Sequence, residues 1–189
     1  LCQWYQKRRL SLHAKVVLFM SLVLTAAGTV LLKLTEDITW MGAFFTSVSA
    51  RTAGFSTFPL GSFSGAGLLT VIVLMVIGAS PGSTGGGIKT TTCYVLFEGI
   101  RSSATNTSEK AFRYAVPADA FRKAAVITLL AIGIVLSGTY ILVILEPGVP
   151  FLDALFTATS ATCVTGLVIH DTALYWAPFG QVVLLLLIQ

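Results

Sequence analysis

The chain has 189 residues, of which 55% are hydrophobic and 11% charged, with a formal net charge of +4. Ordinary soluble domains carry about 25% charge, and a globule of this size cannot hide so much apolar side chain in one core; a soluble enzyme is excluded, and so is a disordered chain, which needs the opposite composition. The net charge is too small to point to nucleic acid, so the placement of the charges carries the information.

Residues 1–15 hold Lys7, Arg8, Arg9 and Lys15 and no acid. Residues 16–32 are uncharged, near the minimum of roughly 20 residues for a membrane-crossing helix and too long for a signal peptide core. Residues 33–51 balance Lys33 and Arg51 against Glu36 and Asp37. Residues 41–50 are apolar but too short to cross, which predicts a re-entrant piece. The uncharged stretch 52–88 is too long for one simple span and is broken at residues 78–87 by five glycines and a proline, which cannot be ordinary helix. That break is not a phosphate-binding loop: Ile88 separates Gly87 from Lys89, and the segment follows an apolar helix, not a strand.

Residues 101–122 form a polar, net basic linker with room for a short helix, held at the lipid surface by its basic residues. Residues 124–145 make a second full span. The segment 146–171 carries only Glu146, Asp153 and Asp171, and 172–189 is uncharged again. The positive-inside rule puts the N-terminus and the linker in the cytoplasm and the 33–51 and 146–171 segments outside. Trp40, Tyr175 and Trp176 fit an outer aromatic belt, Trp4 and Tyr5 an inner one. Cys2, Cys93 and Cys163 lie far apart without CxxC spacing and read as small buried hydrophobes. The chain opens without Met and stops at Gln189 inside an apolar run, so a fragment of a longer protein is expected.

The two halves repeat each other. Phe45-Thr46-x-x-Ser49-Ala50 matches Phe156-Thr157-x-x-Ser160-Ala161, and Gly54-Phe55 then matches Gly166-Leu167. Each motif follows an apolar span and an acidic outer segment and precedes another apolar run. The expected fold is therefore an all-α membrane protein of two parallel repeats, each an outer helix, a re-entrant pore loop and an inner helix, in the manner of a potassium channel. The units take residues 1–100 and 123–189, with the linker at 101–122. Irregular backbone at membrane depth is tolerated only inside protein or along a water-filled cavity. A half-helix ending there favours a cation at its C-terminus, and glycine lets the following turn aim carbonyls at one axis, as in carbonyl-ring filters.

SVSARTAGFSTF (47–58) followed by IGASPGSTGGGIKTTT (77–92) resembles the third repeat of the Trk/Ktr/HKT superfamily of potassium transporters, closest to the bacterial Ktr and Trk membrane subunits. RRLSLHAKVVL (8–18) fits the lead-in to that repeat, and residues 117–155 fit the start of the fourth. Residues 157–189 resemble the first repeat more than the fourth, which suggests a partial or rearranged chain. The resemblance implies a selectivity filter at Thr52, Ala53, Gly54, Phe55 and at Val164, Thr165, Gly166, Leu167, where backbone carbonyls bind K⁺ or Na⁺ as the transported ion. It implies a gate loop at Gly78, Ala79, Ser80, Pro81, Gly82, Ser83, Thr84, Gly85, Gly86 and Gly87. It also implies a homodimer in the cell membrane and a cytoplasmic nucleotide-binding regulatory ring as partner, with no cofactor and no nucleic acid.

Lys89 reads either as a helix-end charge that snorkels or as a gating charge near the permeation path. Two other functions stay open: a secondary transporter of another small ion, an anion held at half-helix N-termini, and a non-transporting membrane scaffold. Catalysis has little support: His13 sits beside the basic cluster, and His170-Asp171 reads as a solvated loop pair with no nucleophile nearby. Asp153 is expected at the start of the second re-entrant helix, as its N-cap or first-turn acid.

Overall fold

The computed structural model describes residues 11–105, 110–111, 114–115 and 118–189. Lys7, Arg8, Arg9, Cys2, Trp4, Tyr5 and Pro117 lie outside them. Among the described residues the chain is helical, apart from one antiparallel strand pair, Lys110–Ala111 with Tyr114–Ala115, in the linker.

Helix α1 spans Leu12–Thr35 and starts at Ser11, whose hydroxyl accepts from the Ala14 N–H at 3.2 Å. At 1.5 Å per residue its 24 residues reach about 36 Å, enough for a bilayer core of about 30 Å. Helix α2 (Trp40–Ser49) is N-capped by Thr39 and has 10 residues, or about 15 Å, half a crossing. A 3₁₀ turn at Leu60–Ser62 leads to α3 (Gly65–Val76), N-capped by Ser64. The glycine-rich break follows, and α4 (Thr90–Thr105) resumes after it. Helix α5 (Ala118–Leu145) is the second full span, α6 (Phe151–Thr162) the second half-crossing, α7 (Thr172–Tyr175) a single turn and α8 (Pro178–Ile188) the start of an inner helix.

Several local expectations change. Helices α4 and α5 both extend into the 101–122 linker, because Arg101 pairs with Glu98 one turn back at 3.4 Å and Asp119 supplies a first-turn acid. The apolar run 172–189 is two helices, not one, because Pro178 takes the first turn of α8, where its missing N–H costs nothing. Trp176 is not in an outer belt: it is 3% exposed and packs with Leu142, Ala154, Ala158 and Leu184 in a core between α5, α6 and α8. Trp40 stays exposed.

The first unit has a larger core, with Leu32 of α1, Ala43 of α2 and Val71 and Met75 of α3 fully enclosed. Phe156 and Leu167 of the second unit are buried in that same core, so the two units interlock at the turns after α2 and α6.

Candidate functional site

Helices α2 and α6 end alike, because the same residue types follow each. After α2, Thr52 (φ 67°) and Gly54 (φ 77°) take the left-handed region; after α6, Val164 (φ 52°) and Gly166 (φ 85°) do so at the matching places. Non-glycine residues avoid that region at a cost of roughly 1–2 kcal/mol, so Thr52 and Val164 are held there by their surroundings. The N–H groups of Ala53 and Gly54 both donate back to the Ser49 carbonyl, at 3.0 and 3.1 Å, and Thr165 N–H to the Ser160 carbonyl at 2.9 Å. Those bonds consume donors and leave acceptors. The carbonyls of Thr52, Ala53 and Gly54, and of Val164, Thr165 and Gly166, receive no backbone hydrogen bond among the described residues.

The far end of each turn is pinned from its own helix. Ser49 donates its hydroxyl to the Phe55 carbonyl, and Ser160 donates to the Leu167 carbonyl at 2.7 Å. The Phe55 side chain is exposed while Leu167 enters the core. The two turns meet: a Cβ placed on Gly54 would overlap the Thr165 carbonyl oxygen and lie 3.5 Å from the Gly166 Cα, and one on Gly166 would stand 3.9 Å from the Gly54 Cα. The C-terminal, partially negative ends of two half-helices thus converge, and the turns that follow them carry carbonyls without a backbone hydrogen bond among the described residues.

The glycine-rich loop lies directly against both turns. A Cβ on Gly85 would overlap the Thr52 hydroxyl, and one on Gly86 would overlap the Cys163 carbonyl. The loop is closed at its ends: Ile88 N–H donates to the Val76 carbonyl at 2.9 Å, Gly78 abuts the Gly86 carbonyl, and Gly82 and Gly87 take positive φ. Ser83 N–H and hydroxyl both donate to the Ser80 carbonyl, at 3.2 and 2.7 Å, shaping the tip around Pro81. Lys89, half-buried, reaches back and donates to the Gly85 carbonyl inside the loop, so its ammonium is tied to the loop.

Arg51, just before the first turn, spans to α1. Its guanidinium donates to the Ser21 carbonyl at 3.3 Å, the Ser21 hydroxyl at 3.3 Å and the Thr25 hydroxyl at 3.4 Å. Cys163 stands at the matching place of the second unit and is buried with a free thiol.

Sequence reasoning missed two carboxylates. The first Glu36 oxygen accepts from the Ser64 N–H at 2.8 Å and the Ser64 hydroxyl at 2.7 Å, at the N-terminus of α3. The matching Glu146 accepts from the Ala177 N–H at 2.7 Å, at the N-terminus of α8. Each outer helix ends in an acid that caps the inner helix of its own unit, where anionic groups are favoured. On the same side His170 pairs with Asp153 at 3.1 Å and stacks on Tyr175, ring centroids 4.1 Å apart, and Asp171 instead caps α7 through the Ala173 N–H at 2.9 Å. The expected His170-Asp171 pair is thereby replaced by a link from the loop to the first turn of α6.

Two pore-loop units with parallel topology, joined at carbonyl-lined turns, define an all-α membrane protein of the potassium-channel-like class. The sequence model of the TrkH family, described as cation transport protein, matches residues 10–188, and the chain belongs to that family, within the Trk/Ktr superfamily. It is 44% identical over 100 residues to Ktr system potassium uptake protein B of Vibrio alginolyticus, covering 47% of this chain and 22% of that protein. It is 30% identical over 171 residues to Ktr system potassium uptake protein B of Bacillus subtilis, covering 83% of this chain and 38% of that protein. The fold matches the crystal structure of the potassium transporter TrkH from Vibrio parahaemolyticus with a TM-score of 0.70 at 19% identity, over 93% of this chain and 41% of that one. The chain therefore spans well under half the length of the relatives it matches.

Proposed function

We propose that this chain supplies two pore-loop units of a potassium uptake protein in the cell membrane, with its N-terminus cytoplasmic. The observation that carries the reading is the meeting of the Gly54 and Gly166 turns, with unpaired carbonyls at the ends of two half-helices. A dehydrated cation needs such a ring of oxygens to replace its hydration shell. Thr52, Ala53 and Gly54 and Val164, Thr165 and Gly166 supply the ion-facing carbonyls, while Phe55 and Leu167 anchor the filter ends. The names of the relatives, potassium uptake proteins, favour K⁺ over other ions.

Gly78–Gly87 serves as a gate below the filter, held by Lys89 as its charge. Further pore-loop units complete the ring, and the assembled protein works as a homodimer on a cytoplasmic nucleotide-binding regulatory ring. An anion transporter would hold its substrate at half-helix N-termini, whereas Arg51 follows the C-terminal end of α2 and the Lys89 ammonium is turned back onto the Gly85 carbonyl.

The test is Rb⁺ flux into liposomes holding the full-length protein that carries this segment. Gly54→Ser and Gly166→Ser are expected to change K⁺/Na⁺ preference. Unchanged selectivity in both would overturn the filter assignment.

A further inference from the structure

A cavity of about 350 Å³ lies between the two units. Ile72 of α3, Val135 of α5 and Leu155 of α6 wall it, and Gly87 with Ile88, the end of the glycine-rich loop, close one side. No charged side chain lines it. Its two hydroxyls, on Thr159 and Thr162, already donate to the Leu155 and Ala158 carbonyls of their own helix, at 2.7 and 2.8 Å. A cavity with this lining offers water too few partners to hold it, and its volume lies in the range of roughly 300–1,000 Å³ typical of ligand sites.

Its mouth is on the outer surface of α5. Ile132, Ile134 and Leu136 line the cavity yet remain 43%, 48% and 52% exposed. Helix α5 is long and apolar enough to cross a membrane, and its neighbouring Leu129 and Leu130 are 70% and 62% exposed. The surface around the mouth is thus apolar and lies along a helix of membrane-crossing length, where a hydrocarbon chain is the matching occupant.

We propose that this cavity is a binding site for one acyl chain of a membrane lipid, which enters past Ile132 and Leu136 and ends against Gly87 and Ile88. The chemistry fits on two counts: a lining that is apolar apart from two satisfied hydroxyls and the Cys163 thiol, and an opening on the apolar face of a helix long enough to cross a membrane. The inner end matters because Val76 and Ile88, which close the base of the loop through the 2.9 Å Ile88–Val76 hydrogen bond, both line the cavity. An acyl chain seated there fills the space into which that closure would relax and so supports the loop against the two turns. This effect on flux rests on the gating role proposed above; occupancy of the cavity does not.

The experiment uses the full-length protein carrying this segment, in phosphatidylcholine vesicles doped with a phosphatidylcholine bearing a diazirine near the end of one acyl chain. After irradiation, labelled peptides are mapped by mass spectrometry and Rb⁺ flux is measured on the same vesicles. Label is expected on Ile72, Val135 or Leu155 as well as on Leu129 and Leu130. Ala131→Trp, which fills the cavity, should reduce the inner label tenfold or more and leave Leu129 and Leu130 labelled. Label confined to Leu129 and Leu130 in the parent protein overturns the proposal, whether or not the variant folds. So does inner label undiminished in a folded Ala131→Trp. An unlabelled cavity with normal Rb⁺ flux sinks the lipid site alone, and a labelled cavity in a protein without flux sinks the transport reading alone.

Discussion

The hydroxyl of Ser160 donates to the carbonyl of Leu167 at 2.7 Å, across the turn that carries Gly166. Ser49 makes the same bond to Phe55 in the first unit. An excursion of six positions in the first unit and seven in the second, with two left-handed residues in each, would otherwise be free to splay, and this bond fixes where it ends. It also withdraws one carbonyl per unit from the unpaired set, which separates the carbonyls proposed to face an ion from those that hold the frame.

Replacing either serine by alanine keeps the helix and removes the pin. Ser160→Ala leaves the buried Leu167 carbonyl without its donor, at a cost of about 1–3 kcal/mol. The expected outcome is a lower thermal midpoint for the full-length protein and a reduced K⁺/Na⁺ preference in Rb⁺ uptake competed by Na⁺. Ser160→Thr, which retains the hydroxyl, should recover most of the preference. Equal selectivity in Ala and Thr variants would show that the bond only holds the fold.

The two glycines should respond unequally to substitution. Gly54→Ala faces both a left-handed φ and overlap with the Thr165 carbonyl, part of the neighbouring unit's backbone. Gly166→Ala meets the φ penalty alone, since the nearest atom to its Cβ stands at 3.9 Å. The strained conformation costs on the order of 1–3 kcal/mol, so Gly166→Ala should lower Rb⁺ uptake by roughly tenfold and Gly54→Ala by more. Uptake by cells that depend on the introduced protein for K⁺, normalised to its membrane abundance, ranks the two.

The acids at the ends of the outer helices offer a stability test. Glu36→Ala removes two charge-assisted bonds to Ser64 and exposes the N-terminus of α3, and Glu146→Ala does the same to α8 through Ala177. Capping losses run at about 0.5–2 kcal/mol. Both variants should melt lower, Glu36→Ala by the larger amount because two bonds are lost in place of one. The matching glycine, Gly67, leaves no room for a side chain beside the Glu36 carboxylate, so Gly67→Ala should mimic Glu36→Ala.

These carboxylates also mark where the sequence is silent. The turns and the loop were legible because each demands particular residues at fixed spacing: glycine where φ is positive, a serine near the end of the half-helix, glycines where backbone meets backbone. The caps join residues separated by 28 and 31 positions, and nothing local in Glu36 or Glu146 distinguishes a cap from an outer-segment charge that reports only topology. The same holds for His170, whose neighbour in sequence is Asp171 but whose partner is Asp153, 17 residues away. Trp176 departs from the expected belt for a related reason: an aromatic near a helix start fits an interface in sequence, and only the packing of α5 against α6 and α8 shows a slot for it.

Lys89 supplies the test of the gating role proposed for the loop. Its ammonium donates to the Gly85 carbonyl, and Gly85 is the residue that lies against Thr52. The tether therefore reaches from the start of α4 to the underside of the first turn within a few residues. Lys89→Met preserves the stem and deletes the donor, freeing the Gly85 carbonyl and loosening the loop where it lies against Thr52. A loop hydrogen bond to a charged donor contributes about 1.5–3 kcal/mol, so the open population should rise by roughly tenfold or more. On the proposed gating role, Rb⁺ flux in liposomes should increase accordingly, while K⁺/Na⁺ preference stays constant because the carbonyls of the two turns are untouched. Lys89→Arg should lie between the two, since its planar fork reaches the same carbonyl with altered geometry. A fall in flux for Lys89→Met in a folded protein would mean that Lys89 holds the path open, not shut, and would reverse the assignment of its role.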